Sequence, residues 1–142
     1  MLEIQDEHPD KLLHRSTTEA IIGAAFEVHR ELGYGFLERV YQRGLQFELI
    51  RRGVAAEIER RIQVQYKGVV VGDYDADLIV ADSVAVEIKV NPQYDKRDEA
   101  QLLSELKATG LKIGLLVNFG RNKVEYKRLV FSSVLIRGVP VF

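Results

Sequence analysis

Asp77-Leu-Ile-Val-Ala-Asp-Ser-Val-Ala-Val-Glu-Ile-Lys89 is the stretch of sequence that decides the fold of this chain. Two runs rich in β-branched residues meet at a short polar connection, and this pattern predicts an antiparallel hairpin. If residues 81–83 form the connection, Asp77 lies opposite Glu87 and the two side chains share one face of the sheet. Lys89 lies two residues further along its strand and therefore shares that face. Two carboxylates and one ammonium group then converge.

The length of the connection decides whether these charges come together. A two-residue turn would place Asp77 and Glu87 on opposite faces, because a register shift of one residue exchanges the two faces of a strand. With three connecting residues, the apolar side chains fall together on the second face: Leu78, Val80, Val84, Val86, Ile88 and Val90. The sequence therefore predicts a hairpin with one charged face and one apolar face.

The length and composition of the chain indicate the number of domains and the cellular location. A chain of 142 residues with 46% hydrophobic and 29% charged residues is ordinary for one soluble globular domain. No apolar run approaches the roughly 18 residues that cross a bilayer, and the polar N-terminus is unlike a secretory signal. The absence of cysteine excludes disulfides, zinc–thiolate sites and thiol nucleophiles, and it fits a cytoplasmic location. The net charge of −1 argues against a broadly basic, sequence-blind nucleic-acid surface.

Helical and strand patterns follow each other in an order typical of a mixed sheet. Apolar residues at helical spacing predict helices over residues 16–32, 36–52 and 98–109. β-rich runs predict strands over residues 58–66, 69–74, 75–80, 84–90, 113–119 and 124–130. This order predicts the α/β (α+β) class, with a mixed central sheet flanked by helices. We expect a flexible segment at residues 1–14, one domain at residues 15–131 and an apolar tail at residues 132–142, which could be an edge strand, a partner contact or disordered.

The charged face of the hairpin has the residues of a metal-dependent phosphodiesterase. Two neighbouring carboxylates select hard cations such as Mg²⁺ or Mn²⁺. Such an ion polarises a phosphoryl oxygen and helps to generate hydroxide from water, while Lys89 could orient that water or stabilise developing negative charge. The alternative is a solvated strand face, because Glu-x-Lys is common on strands.

Further candidates lie on the predicted helices and just before the third one. Glu38 and Tyr41 share a helix face, so they could bring a third carboxylate to the site, or be an exposed glutamate beside a core tyrosine. Gln101 could reach a nucleobase or a phosphate, or be a solvent-exposed glutamine. Lys96 and Arg97 could steer a phosphate backbone, or simply keep the surface soluble. The candidate substrate contacts are thus Gln101, Tyr41, Lys96 and Arg97.

The segment Gly35-Phe-Leu-Glu38-Arg-Val-Tyr41 carries the pattern that names the GxxExxY proteins, a group of small prokaryotic proteins usually placed in the PD-(D/E)xK nuclease-like superfamily. The chain resembles this family in further segments between residues 16 and 130: Glu27-Val-His29-Arg-Glu, Tyr66-Lys-Gly, Asp77 with Glu87-x-Lys89, Gln101-Leu-Leu, Lys107-Ala-Thr-Gly110 and Asn118-Phe-Gly120. Such matches in one order are more specific than any one of them.

The resemblance implies a restriction-endonuclease-like core and assigns roles to the candidates. Asp77 and Glu87 would be metal ligands, together with the main-chain carbonyl of Ile88. Lys89 would be the catalytic lysine, and Glu38 would be an additional acid from the helix.

Two features depart from the family pattern. Glu105 stands where relatives have a tyrosine four residues after Gln101, and Gly33-Tyr34-Gly35 replaces a glycine-proline-glycine turn. The first departure bears on substrate contacts near Gln101, and neither touches the metal-binding residues. The resemblance implies a Mg²⁺- or Mn²⁺-dependent nuclease that acts on DNA or RNA, with a homodimer as one possible assembly. The alternative is a non-catalytic module of the same fold that binds nucleic acid or a protein partner.

Overall fold

The computed structural model describes residues 14–131 and, for the backbone alone, residues 135–136 and 139–140. The predictions of a flexible N-terminal segment and of the contacts of an apolar tail therefore lie almost entirely outside the described residues. None of the described helices is long and apolar enough to cross a membrane.

The described residues form three helices and two sheets. The helices are α1 (Arg15–Leu32), α2 (Glu38–Arg51) and α3 (Arg97–Thr109). The strands are β1 (Ala56–Tyr66), β2 (Val69–Val80), β3 (Val84–Lys89), β4 (Ile113–Asn118), β5 (Glu125–Val130), β6 (Leu135–Ile136) and β7 (Val139–Pro140). The order of elements allows three or four strands before α3, and the structure has three, because residues 69–80 form the single strand β2, which pairs with β1.

The five long strands form one mixed sheet in the order β1-β2-β3-β4-β5. Strands β3 and β4 are parallel, whereas the other neighbours are antiparallel. A parallel pair needs a crossover connection, and α3 supplies it. Strands β6 and β7 form a separate two-stranded sheet. The predicted α/β (α+β) class with a mixed sheet flanked by helices is confirmed.

The connection between β2 and β3 consists of residues 81–83, as predicted. Val80 pairs with Val84 across it. The Ser83 amide closes the turn by donating a hydrogen bond to the Val80 carbonyl at 3.0 Å. This connection sets the register on which the predicted charged face depends.

Helices cover both faces of the sheet. On one face, α1 and α2 pack against the apolar side of the hairpin, which is buried at Leu78, Val80, Val84, Val86 and Ile88. On the other face, α3 contributes Leu102 and Leu106, which join a cluster with Ile79, Ala85 and Leu116. Full burial of each large apolar side chain stabilises the fold by about 1.5–3 kcal/mol. Glu87 and Lys89 alternate along β3 with Val86 and Ile88, so their side chains lie on the α3 side of the sheet.

A contact at the end of β4 fixes the chain that follows β3. The Asn118 side chain accepts a hydrogen bond from the Asn91 amide at 2.9 Å and donates one to the Asn91 carbonyl at 3.0 Å. Gly120 lies so close to this segment that an added Cβ would be 2.3 Å from the carbonyl carbon of Val90. Only glycine fits at that distance, and the chain leaving Lys89 is held in place as a result.

Candidate active site

The β2–β3 ladder ends where the charged residues begin. Its last pair is Leu78 with Val86, and the same register places Asp77 opposite Glu87 one step further. There the Asp77 carboxylate accepts a hydrogen bond from the Ile88 amide at 2.9 Å. The Ile88 amide thus donates to a side chain and not to a main-chain carbonyl of β2. The regular pairing of the two strands therefore ends at Asp77.

The main chain at Asp77 is also held by α2 and distorted beside β1. Gln42 of α2 donates from its side-chain amide to the Asp77 carbonyl at 2.8 Å. The β1–β2 ladder omits the pair of Glu59 with Asp77, and Glu59 has a φ of 58°. This left-handed angle is uncommon outside glycine and interrupts the extended strand. The sequence carries no signal for this irregularity.

A cavity of about 260 Å³ opens beside Asp77. It is lined by Glu38, Arg39, Gln42, Glu59, Asp75, Asp77 and Ile88. The structure thus brings Glu38 of α2 and Asp77 of β2 to the same cavity. Partial burial, followed by repulsion from Asp77, raises the pKa of Glu38. Four acidic side chains and one arginine give this cavity a negative lining, which suits a cation.

Glu87 and Lys89 form the other part of the arrangement, on the α3 side. The Glu87 carboxylate is buried, and its Oε2 lies 3.4 Å from Lys89 Nζ. Burial, followed by repulsion from Asp77, raises the pKa of Glu87 to about 7. Burial acts to lower the pKa of Lys89, but the carboxylates of Glu87 and Asp98 raise it overall. Lys89 therefore keeps its positive charge at neutral pH.

Helix α3 places two polar side chains beside Lys89. Lys89 Nζ lies 3.7 Å from Asp98 Oδ1 and donates to Gln101 Oε1 at 3.4 Å. The sequence predicts Gln101 as a site residue, whereas Asp98 was missed. The spacing could have indicated Asp98, because it lies three residues before Gln101 and so shares its helix face.

The two basic candidates before α3 lie apart from this cluster. The Arg97 side chain is 91% exposed and pairs with Asp95 at 2.9 Å. Lys96 is exposed as well. Among the described contacts, neither residue pairs with Asp77 or Glu87.

Tyr41 belongs to the core. It is fully buried and stacks on Phe119 with a centroid distance of 4.7 Å. Its hydroxyl donates to the Gly33 carbonyl at 2.5 Å and accepts from the Phe36 amide at 3.3 Å. This burial contradicts the prediction of Tyr41 as a substrate contact and favours the alternative of a core tyrosine, because both the ring and the hydroxyl are used inside the protein.

Glu105 is a buried acid without a partner among the described residues. It is 2% exposed, and neither carboxylate oxygen has a hydrogen bond. Burial, followed by repulsion from Glu87 and Asp77, raises the pKa of Glu105 to about 8. The residue stands where the family resemblance implies a tyrosine, so the departure adds an acid to the electrostatic cluster.

The donor set at the hairpin end fits a hard divalent cation that keeps ligands besides protein. Mg²⁺ is commonly held by one or two carboxylates, with water and substrate phosphates as its other ligands. Asp77, Glu87 and the Ile88 carbonyl would offer such a set. Burial, followed by repulsion from Asp77, raises the pKa of Glu87, and a cation would relieve the repulsion. Within the described part of the chain, no group of three His, Asp or Glu side chains is arranged to hold a metal ion by itself.

Two kinds of comparison relate the chain to known proteins. The family model described as PD-(D/E)XK nuclease superfamily matches residues 15–129. The crystal structure of SSO0001 is similar, with a TM-score of 0.51 and 19% sequence identity over 86% of this chain and 61% of that chain. The crystal structure of an alkaline exonuclease (LHK-Exo) from Laribacter hongkongensis has a TM-score of 0.40 and 12% identity over 80% of this chain and 81% of that chain. No curated protein matches the chain.

The likeness to SSO0001 concerns the fold. At 19% identity it shows a shared architecture, and this chain spans about 61% of that protein's length. Together with the family match, it confirms the predicted restriction-endonuclease-like core of a mixed sheet with flanking helices.

Proposed function

The chain belongs to the PD-(D/E)XK nuclease superfamily, and from this membership we propose that it is a metal-dependent nuclease that hydrolyses phosphodiester bonds in nucleic acid. The observation that carries the proposal is the arrangement of Asp77, Glu87 and Lys89 at the end of the β2–β3 ladder. A bound cation would relieve the repulsion between two neighbouring carboxylates, and a lysine beside them can interact with an anionic substrate.

Asp77, Glu87 and the carbonyl of Ile88 would hold Mg²⁺ or Mn²⁺. A bound cation would supply a Lewis acid for a phosphoryl oxygen and a lower pKa for bound water. The hydrogen bond from the Ile88 amide already fixes the orientation of the Asp77 carboxylate. The ligand from β2 is thus oriented before a cation arrives.

Lys89 acts in this proposal as a fixed positive charge. Its raised pKa keeps it an ammonium group, so it does not accept a proton at neutral pH. Its role is to orient the attacking water and to stabilise the negative charge that develops on the phosphate. Asp98 and Gln101 position its side chain from α3.

Glu38 would complete the site from α2, where it lines the same cavity as Asp77. Its spacing from Gly35 and Tyr41 is the reason for which we place the chain in the GxxExxY group of the superfamily. Tyr41 then serves this motif by packing, since it is buried.

The other expectations extend the same proposal. Residues 15–131 would form the nuclease-like domain, and its partner would be DNA or RNA in the cytoplasm. Gln101, Lys96 and Arg97 remain candidate contacts for that nucleic acid. A homodimer would allow two strands to be cut.

A cleavage panel tests the proposed function. Labelled single- and double-stranded DNA and RNA are incubated with Mn²⁺ and either wild type, Lys89→Ala or Lys112→Ala. Lys112 is an exposed lysine that does not line the site, so its variant is the matched control. We expect metal-dependent cleavage of at least one substrate by the wild type and the control, and a loss of about 100-fold or more in Lys89→Ala.

Full activity of Lys89→Ala in clean preparations would overturn the role of this lysine. Binding of nucleic acid without cleavage under every condition would favour the non-catalytic module. Thermal unfolding of each variant shows whether the fold is retained.

A further inference from the structure

A groove lies beside the proposed active site, between the β1–β2 hairpin and α3. Its volume is about 720 Å³. It is lined by Gln63, Val64, Gln65, Tyr74, Gln101, Ser104, Lys107 and Ala108. Sites for small ligands typically enclose about 300–1,000 Å³. The groove therefore has room for a nucleotide-sized group.

The chemistry of the groove differs from that of the cavity at Asp77. None of its lining residues is acidic. Three glutamine amides and the hydroxyls of Tyr74 and Ser104 offer donors and acceptors side by side. A glutamine amide matches the paired donor and acceptor at the edge of a base. The Tyr74 ring adds an aromatic surface of the kind on which bases stack.

One residue of the groove also contacts the proposed active site. Gln101 accepts a hydrogen bond from Lys89 at 3.4 Å. The groove thus begins beside the place where the phosphodiester would be cut.

We propose that this groove binds an unpaired nucleobase next to the phosphodiester held at Lys89, so that the substrate is single-stranded nucleic acid or the single-stranded end of a duplex. The inference rests on the proposed nuclease function and names its substrate class. Unpaired bases expose the faces and edges that stacking and pairing cover in a duplex, and proteins read them with aromatic rings and amides. The mostly uncharged lining suits a base better than a phosphate.

Fluorescence anisotropy with three labelled ligands of equal length tests this inference: a single-stranded oligodeoxynucleotide, its duplex, and an abasic single strand. The titrations contain Ca²⁺, which takes the same oxygen ligands as Mg²⁺. The abasic strand has the same phosphates without the bases. We expect the wild type to bind the base-bearing single strand about 10-fold more tightly than the abasic strand, as stacking of a base on an aromatic ring predicts.

Substitutions in the groove assign the effect to its residues. Tyr74→Leu should remove most of the discrimination between base-bearing and abasic strands, and Gln63→Ala should reduce it several-fold without disturbing the core, because Gln63 is exposed. Tyr126→Leu is the matched control, since Tyr126 is 47% exposed on β5 and does not line the groove.

Three results would overturn the groove assignment: equal affinity for the base-bearing and abasic strands, preference for the duplex, or wild-type discrimination in both groove variants. If the same wild-type preparation still cleaves nucleic acid with Mn²⁺, only the groove is refuted. If it neither cleaves nor distinguishes the base-bearing strand, the proposed function fails as well.

Discussion

Replacing Glu105 with Gln should stabilise the protein near neutral pH but not in mild acid. The carboxyl is 2% exposed and has no hydrogen-bond partner among the described residues, so its charged form is poorly solvated. Its pKa is about 8 in the folded protein, against an ordinary value of 4.5. Between these values the folded protein holds a proton that the unfolded chain has lost, and stability therefore falls as the pH rises.

The magnitude follows from this pKa difference. Each pH unit between the two values costs about 1.4 kcal/mol of unfolding free energy. From about pH 5 to about pH 7.5, Glu105 should therefore cost the wild type roughly 3 kcal/mol. Glutamine has no proton to lose, so the cost of burying its amide is the same at both pH values. Glu87 titrates in both proteins, and its effect largely cancels in the comparison.

Urea unfolding in EDTA, followed by circular dichroism at both pH values, measures the effect. The free energy of unfolding of Glu105→Gln, relative to wild type, should increase by about 3 kcal/mol from the lower to the higher pH. Glu19→Gln is the control, because Glu19 is 69% exposed on α1 and should change stability by less than about 0.5 kcal/mol. A difference between Glu105→Gln and wild type that is equal at both pH values would refute the reasoning.

Other substitutions test the packing around the site and the titration of its ligands. Tyr41→Phe should lower the free energy of unfolding by about 1 kcal/mol, because it removes the hydroxyl bonded to Gly33, and should leave Mn²⁺ binding unchanged; thermal unfolding and a metal titration check both parts. Gly120→Ala should cost about 1–3 kcal/mol in urea unfolding, since the new methyl group would meet backbone at Val90. A wild-type stability in this variant would show that the loop has room to move. The affinity for Mg²⁺ should rise about 10-fold between about pH 6 and pH 8, because the pKa of Glu87 is about 7 and only its carboxylate binds metal. Isothermal titration should find this rise in wild type, while a rise of equal size in Glu87→Gln would contradict it.

The hairpin could be predicted because its information is local. Strand alternation and the number of connecting residues determine which side chains share a face, and the pairing of Val80 with Val84 follows from them. The apolar face of the hairpin is buried as this register requires. The ends of α1 and α3 could also be predicted, because glycine is the usual residue after a helix. Gly33 and Gly110 have the positive φ angles that this position favours.

The rest depends on contacts between residues that are distant in the sequence. The position of α3 over β3 decides that Glu105 is buried without a hydrogen-bond partner among the described residues, and no local pattern specifies this crossing. The burial of Tyr41 depends in the same way on Phe119, which directly follows β4. The angle at Glu59 interrupts a strand whose residues alone favour regular pairing.

The central claim is that Asp77 and Glu87 form a site for a divalent cation, and a thermal-shift titration with Mn²⁺ tests it most directly. An ion that binds only the folded state must stabilise it, so the melting temperature of the wild type should rise with Mn²⁺ concentration. Asp82→Ala, altered at an 81% exposed side chain in the turn of the same hairpin, should respond like the wild type. Asp77→Ala should show no shift. An absent shift in the wild type, or an equal shift in Asp77→Ala, would contradict the claim.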